Sequence, residues 1–299
     1  MPQTLIVVVG PTGVGKTELS LRLAEHLQTP IINADSRQIF QEIPIGTAAP
    51  TKQQLQQVKH YLVGTRHLKD YYSASMFEQD VLHLLDTELQ SVPTPLLIGG
   101  SMMYIDAVCD GIDDIPTVDD ATRETMKKRL AEEGLPRLVE ELSRLDPEHY
   151  QIVDKNNPRR VIHALEICHM TGQPYSHFRT NTRKKRPFRI LKIGLNRPRQ
   201  ELYERINQRV LTLMDEGLEQ EARSVYPLRG LNSLNTVGYR ELFSYFDGKI
   251  DREEAVRQIQ SNTRQYMRKQ LTWFKKDERI TWFHPDNIEE IINYIDKSI

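Results

Sequence analysis

Cysteine is nearly absent from the 299 residues: Cys109 and Cys168 are the only two, far apart and without the paired spacing of a redox or zinc motif. Two isolated thiols exclude a disulfide framework and a cysteine-based zinc site, and are read as reduced thiols partly buried on helices. Long apolar runs are also missing. None approaches the roughly 20 residues that span a bilayer, so no membrane contact is expected. Charge of one sign is missing too. The 40 basic and 41 acidic residues leave a net charge of −1. No global field then draws the protein to nucleic acid or membrane, and any polyanion site must be a local patch. The chain turns apolar at its fourth residue, which leaves no room for a signal peptide and sets the expectation of a cytoplasmic protein. Its length suits one large or two modest domains, and 38% apolar with 27% charged residues is ordinary for a globular fold.

What is present is concentrated. Residues 10–17 read Gly10-Pro11-Thr12-Gly13-Val14-Gly15-Lys16-Thr17, directly after the apolar run 4–9. A buried strand, a Gly-rich turn and a helix are the setting of a P-loop of the nucleotide-binding type. The glycines allow the tight turn and aim N–H groups inward, Lys16 can reach a terminal phosphate, and the Thr17 hydroxyl can face a metal. A mere helix-capping turn is the alternative, and the loop does not say which phosphate compound it holds.

Short apolar runs at 5–9, 30–33, 60–63 and 96–98 alternate with amphipathic stretches at 18–27, 75–90 and 102–110. That alternation predicts an α/β fold: a mostly parallel sheet flanked by helices, with ligands at the carboxyl ends of the strands. The P-loop, Asp35 and the Gly99-Gly100-Ser101 turn all fall there. From residue 113 the pattern changes to an acidic, Pro-containing connector followed by helices only, with prolines at or near the first turn of three of them. Residues 113–187 are therefore read as an inserted all-helical domain, and 1–112 with 188–299 as the P-loop core. The core resumes with a strand at 188–195, then helices, a long helix at 252–274, a short strand at 279–283 and a terminal helix.

Chemistry-bearing residues are few. The strand 95–98 ends without a carboxylate, whereas the second strand runs into Asp35-Ser36. Asp35 is a candidate metal ligand or general base; its alternative is the N-cap of a following helix. Ser101 offers a hydroxyl beside two glycines, for an anion or for capping the next helix. Arg205 and Arg209 share one helix face, fit for a phosphate clamp or simply solvated. Asn157-Pro158-Arg159-Arg160, Arg183-Lys184-Lys185-Arg186 and the helix from Arg264 to Gln270 are candidate RNA contacts, although such charge runs are usually solvated faces. Trp273 and Phe274 read as core.

Together these segments resemble the tRNA dimethylallyltransferases, the MiaA family of tRNA isopentenyltransferases. The resemblance spans essentially the full length and rests on six motifs in order. They are the P-loop; Asp35-Ser36-Arg37-Gln38-Ile39-Phe40 leading to Ile45-Gly46-Thr47-Ala48-Ala49-Pro50; Gly99-Gly100-Ser101-Met102-Met103-Tyr104; Asn157 to Glu166; Val237-Gly238-Tyr239-Arg240-Glu241-Leu242; and Thr263-Arg264-Gln265-Tyr266 through Gln270 to Phe274. It implies transfer of a dimethylallyl group from dimethylallyl diphosphate to N6 of the adenosine 3′ of the anticodon, in tRNAs reading codons that begin with U. The P-loop would then hold a leaving diphosphate rather than a transferred phosphoryl group.

By resemblance, Asp35 takes the N6 proton, while Lys16, Thr17, Ser101 and Arg209 hold and neutralise the departing diphosphate, with Mg2+ assisting and Thr17 as its protein ligand. The family flips the target base out of the anticodon loop into a channel. Stretches that touch tRNA in the family correspond to Asp35, Ser36, Arg37, Gln38, Ser101, Arg123, Arg159, Arg160, Val161, Ile162, His163, Arg240, Glu241, Leu242, Phe243, Ser244 and Tyr245. Partners are thus a tRNA anticodon stem-loop and dimethylallyl diphosphate, with a monomer expected. Three departures are visible: Ser101 where the family commonly has Thr, the Met102-Met103 pair, and His163 where Arg is usual. With no zinc-finger pattern at its C-terminal end, the chain is expected to be of the bacterial type. A P-loop small-molecule kinase is the rival, and it lacks the metal-binding carboxylate after strand 96–98. A non-catalytic RNA-binding protein is a second rival, against which the intact Lys16, Thr17 and Asp35 argue.

Overall fold

The computed structural model describes residues 3–180 and 182–299. In chain order the elements are β1 (Thr4–Val9), α1 (Lys16–Leu27), β2 (Ile31–Ala34), α2 (Lys52–Gln57), β3 (His60–Tyr61), α3 (Ala74–Asp86), β4 (Leu96–Gly99) and α4 (Met102–Asp110). There follow α5 (Asp120–Glu133), α6 (Leu135–Leu145), α7 (Pro147–Ile152), α8 (Pro158–Thr171) and α9 (Tyr175–Phe178). The chain continues with β5 (Arg189–Leu195), α10 (Arg199–Asp215), α11 (Leu218–Val225), α12 (Tyr239–Phe246), α13 (Arg252–Phe274), β6 (Ile280–Phe283) and α14 (Ile288–Ser298). Two compact units result. One runs up to Asp110 and resumes over Lys185–Ile299; the other is Gly111–Lys184.

The first unit is an α/β layer structure on a six-stranded sheet of order β3-β2-β4-β1-β5-β6, parallel at every pairing. Strand side chains alternate between faces. On β1, Ile6 and Val8 pack with Leu19 and Leu23 of α1, Leu202 and Ile206 of α10, and Ile291 of α14. Leu5, Val7 and Val9 pack on the other face with Phe77 and Val81 of α3 and Ile105 of α4. Both faces are covered, which explains why the strands read as unbroken apolar runs. A third cluster joins Ile39, Phe40 and Ile43, in the loop after β2, to Val210, Leu218, Tyr239, Leu242 and Ile259.

The expected strand at 60–63 shortens to two residues because Leu62 takes a left-handed φ of 63°, which ends extended pairing. Helix α2 escapes the sequence reading: it buries no residue and so has no apolar period. Its only signal is the Thr51/Gln54 capping box, with Gln54 N bonded to Thr51 Oγ1 at 3.3 Å. Cys109 and Cys168 are free and buried, and burial pushes the Cys109 thiol up to about 12. Among the described residues no helix is long and apolar enough to cross a membrane.

The second unit packs α5, α6 and α8 around Met126, Leu138, Leu142, Val161 and Leu165. Asp119, Asp146 and Asn157 cap α5, α7 and α8 through their side chains, and prolines occupy the first turns of α6, α7 and α8. The basic run before β5 is not a free surface throughout. Arg186 is buried, pairs with Glu78 at 2.6 Å and donates to the Val108 carbonyl at 2.8 Å. Its expectation as an RNA contact gives way to a structural tie. Phe274 is core as expected, but Trp273 is 39% exposed and donates from Nε1 to Asp106 at 2.8 Å.

Candidate active site

The carboxyl ends of β1, β2 and β4 lie side by side, so the loops that follow them meet. After β1, the turn closes on Gly15 at φ 106°, a conformation that favours glycine. Gly15 gives α1 no side-chain cap, and the first amides of the helix are left for an anion. Lys16 Nζ donates to the carbonyls of Gly10 and Pro11, each at 2.9 Å, so the ammonium is parked on its own loop. Burial lowers Lys16 to about 8, opposed by Asp35 and reinforced by Arg209. Two arginines brace the loop from outside: Arg205 Nε donates to the Gly13 carbonyl at 2.8 Å, and the buried Arg197 donates to that of Val14 at 2.9 Å.

After β2, Asp35 Oδ1 accepts from Arg37 N at 2.9 Å and Gln38 N at 3.4 Å. The capping role is therefore real, but it engages one oxygen only. Oδ2 has no hydrogen-bond partner among the described residues and remains available to a proton. Arg209, one turn along α10 from Arg205, lines the same two cavities as Asp35. Desolvation lowers its guanidinium from the usual value, and the Asp35 charge opposes that shift.

Ser101 behaves differently from both expectations. It is 6% exposed. Its Oγ accepts from Ser36 N at 2.8 Å and approaches Ser36 Oγ at 3.2 Å, instead of capping α4. The hydroxyl thus holds the Asp35 turn against β4 and lines neither large cavity.

The residue that ties these loops together is Gln270 of α13, 2% exposed. Its Oε1 accepts from Thr12 N and its Nε2 donates to the Gly100 carbonyl, both at 2.9 Å. Tyr266, one turn earlier, lines both cavities described below, and desolvation with the Asp35 charge raises its phenol above the ordinary range. The sequence places both in a basic helix read as an RNA contact. Nothing local marks Gln270 as buried, because its two partners lie 258 and 170 residues away.

Two cavities open onto this centre. One, of about 790 Å³, holds the P-loop side: Gly13, Gly15, Lys16, Thr17, Arg205 and Gln208. The other, of about 740 Å³, holds Ser36, Arg37, Gly46, Ala48, Arg240, Ser244, Thr263 and Lys269. They share Thr12, Asp35, Thr47, Arg209 and Tyr266, which form a common neck.

Of the remaining expected contacts, Arg37 donates to the Ser233 carbonyl at 2.9 Å, and Gln38 donates to the carbonyls of Thr47 and Ala48 at 3.1 Å. On α12, Arg240 is exposed, while Ser244 and Tyr245 are half-buried. Glu241, Leu242 and Phe243 are buried, and Glu241 is consumed by Gly238 N at 2.8 Å and Asn262 at 2.7 Å. Leu242 and Phe243 pack in the third apolar cluster, whereas Glu241 lines the second cavity described above. Arg123, Arg159, Arg160, Val161, Ile162 and His163 belong to the helical unit. There Arg159, Arg160 and His163 are exposed, and Val161 is fully buried.

The family described as IPP transferase matches residues 38–277 of the chain. The tRNA dimethylallyltransferase 1 of Phocaeicola vulgatus is 61% identical over 295 residues, covering 99% of this chain and 98% of the relative. The chain belongs to the tRNA dimethylallyltransferase family. The enzyme of the same name from Bacteroides fragilis is 60% identical over 297 residues, covering 99% of both chains. Among solved structures, the full-length tRNA isopentenylpyrophosphate transferase of Bacillus halodurans is 34% identical with a TM-score of 0.71, covering 99% of this chain and 96% of that one. A eukaryotic dimethylallyltransferase acting on tRNA shares the fold alone, at 23% identity and TM-score 0.76 over 91% of this chain and 69% of that one. The chain is thus a transferase of this family, and its α/β architecture is that of the family's solved members. The family model begins at residue 38, whereas the relatives align over 99% of the chain and so include the P-loop and Asp35.

That geometry has a consequence for pH. An anion bound by Lys16 favours its protonated form, so binding above pH 8 requires uptake of a proton. Affinity for an organic diphosphate is expected to be flat below about pH 8. Above it, affinity should fall by up to about tenfold per unit. Calorimetric titration between pH 7 and 9.5 checks this; a Lys16→Met variant should bind weakly at every pH without the break.

Proposed function

We propose that the chain transfers a dimethylallyl group from dimethylallyl diphosphate to N6 of the adenosine immediately 3′ of the anticodon, in tRNAs reading codons that begin with U, releasing diphosphate. The observation that supports this most strongly is the meeting of two cavities at Asp35 and Arg209. One cavity has the chemistry of a diphosphate site. The other is large enough for an unstacked base and is rimmed by Arg37, Arg240 and Lys269. A donor on the P-loop would place its C1 carbon at the neck, opposite a base entering from the other side.

Bond making and breaking then follow from the charges. N6 attacks C1, the C1–O bond breaks, and the electron pair leaves on the diphosphate. Lys16, Arg209 and the free amides of α1 receive that charge in a partly desolvated site, where preorganised donors act most strongly. As N6 turns into an ammonium its proton passes to Asp35 Oδ2, and Arg209 beside it balances the carboxylate until it does. Gln270, through Thr12 and Gly100, and Ser101, through Ser36, keep the donor loop and the base turn in register.

Magnesium fits as a companion of the substrate. Among the described residues no group of three His, Cys, Asp or Glu is placed to hold an ion. Thr17 would be its protein ligand, with diphosphate oxygens and water completing the shell that this ion prefers. When bound it supplies further charge neutralisation to the leaving group. The exposed Arg159, Arg160 and His163 of the helical unit, with Arg240 of α12, are the proposed contacts for the anticodon stem-loop phosphates. The protein is proposed to act as a cytoplasmic monomer.

A thermal shift separates this from phosphoryl transfer. Dimethylallyl diphosphate at a hundredfold excess over its Kd should stabilise the protein by about 2.7 kcal/mol, raising Tm by a few degrees. ATP should shift it less. A larger shift with ATP would favour a kinase and count against the proposal.

A further inference from the structure

One wall of the neck is a loop tied down by a distant helix. Residues 45–48 contribute Gly46, Thr47 and Ala48 to the 740 Å³ cavity, and Thr47 reaches the neck itself. Ala48 sits at φ 48°, a left-handed conformation that residues with a side chain rarely adopt. Within the loop, Thr47 Oγ1 bonds to the Ile43 carbonyl at 2.7 Å and Ala48 N to that of Ile45 at 2.8 Å. The anchor comes from elsewhere in the chain. Glu221 of α11 accepts from Ile45 N at 2.8 Å through one carboxylate oxygen and from Gly46 N at 2.7 Å through the other. The hydroxyl of Tyr239, a fully buried residue at the start of α12, donates to the same carboxylate. Gly46 is required by this closeness: a Cβ there would lie 2.3 Å from the Tyr239 hydroxyl. The far side of the loop is tied to the reacting centre, because Gln38 bonds the Thr47 and Ala48 carbonyls while its own amide is held by Asp35.

We propose that Glu221 is a positioning residue for the transfer reaction: its carboxylate, fixed by Tyr239, clamps the 45–48 loop as the acceptor-side wall and so sets Gln38 and Asp35 against the incoming base. This rests on the reading that the 740 Å³ cavity receives the acceptor. Glu221 itself lines neither cavity; its loop gives Gly46, Thr47 and Ala48 to the acceptor cavity and only Thr47 to the P-loop side, so the clamp acts mainly on the acceptor. Two backbone amides and one hydroxyl converge on one carboxylate, a stronger anchor than neutral acceptors give. Replacing it with an amide of the same size sets an NH2 group against one of those donors.

Glu221→Gln is expected to lower kcat/KM for an anticodon stem-loop about tenfold to a hundredfold, shared between a raised acceptor KM and a lower kcat. The Kd for dimethylallyl diphosphate should stay within about twofold of the wild type. Tyr239→Phe, which removes one donor and keeps the ring packing, should show the same split at a smaller, few-fold size. Wild-type acceptor KM and kcat in Glu221→Gln would overturn the assignment. So would equal losses on donor and acceptor sides together with a lowered Tm, which mark mere structural support. Should Glu221→Gln fail to fold, Tyr239→Phe decides by the same split. A wild-type protein that binds the donor but modifies no stem-loop would overturn the underlying reading instead.

Discussion

Asp35→Asn is expected to lower kcat about a hundredfold to ten-thousandfold, the range over which a positioned proton acceptor contributes. The substitution is informative because so little else changes. Asn keeps the oxygen that accepts from Arg37 N and Gln38 N, so the turn after β2 stays capped. What is lost is a carboxylate oxygen with no hydrogen-bond partner among the described residues, in a neck that Arg209 also lines. Binding of stem-loop RNA and of dimethylallyl diphosphate should therefore remain within about twofold, and Tm should hardly move. Single-turnover transfer with saturating donor isolates the chemical step. Retention of full turnover would remove Asp35 from the proton-accepting role and return it to capping alone.

Arg209→Ala should act on the other half of the reaction, lowering kcat/KM for the donor about a hundredfold to a thousandfold. Arg209 lies in the neck shared by both cavities, where charge grows on the departing diphosphate. Its removal also leaves Asp35 with a weaker counter-charge, so part of the loss should appear in kcat and not only in donor KM. Arg209→Lys should recover some of the donor binding, because charge is restored without the planar fork that spans two phosphate oxygens. Steady-state kinetics at varied donor and saturating stem-loop separates these contributions. An unchanged donor KM and kcat in Arg209→Ala would contradict its place at the leaving group.

The layout of the core is legible in the sequence because each of its devices is local. Apolar runs such as 5–9 and 96–98 read as buried parallel strands since both sheet faces are covered, and the Gly10–Thr17 turn carries its own conformational signature. Asp35 is legible as the carboxylate ending a strand. What escapes is set by contacts between distant segments. Gln270 and Glu221 look like ordinary polar residues on amphipathic helices, yet each ends on backbone groups 170 or more residues away. Ser101 looks like a helix cap beside two glycines, and only the neighbouring β2 turn reveals that its hydroxyl serves Ser36. The motif Arg240 to Tyr245 reads as one RNA-facing stretch, whereas α12 buries Leu242 and Phe243 in the apolar cluster, sets Glu241 in the cavity wall and leaves Arg240 exposed. Arg186 belongs to a basic run in sequence and to a buried ion pair in space.

The most direct measurement is transfer of label from dimethylallyl diphosphate to an anticodon stem-loop with adenosine immediately 3′ of the anticodon, in the presence of magnesium, beside a stem-loop with guanosine at that place. Label on the adenosine substrate alone is the predicted result, since N6 is the nucleophile and Asp35 its proton acceptor. Absence of transfer from a folded protein that binds the donor, or equal label on the guanosine control, would contradict the account.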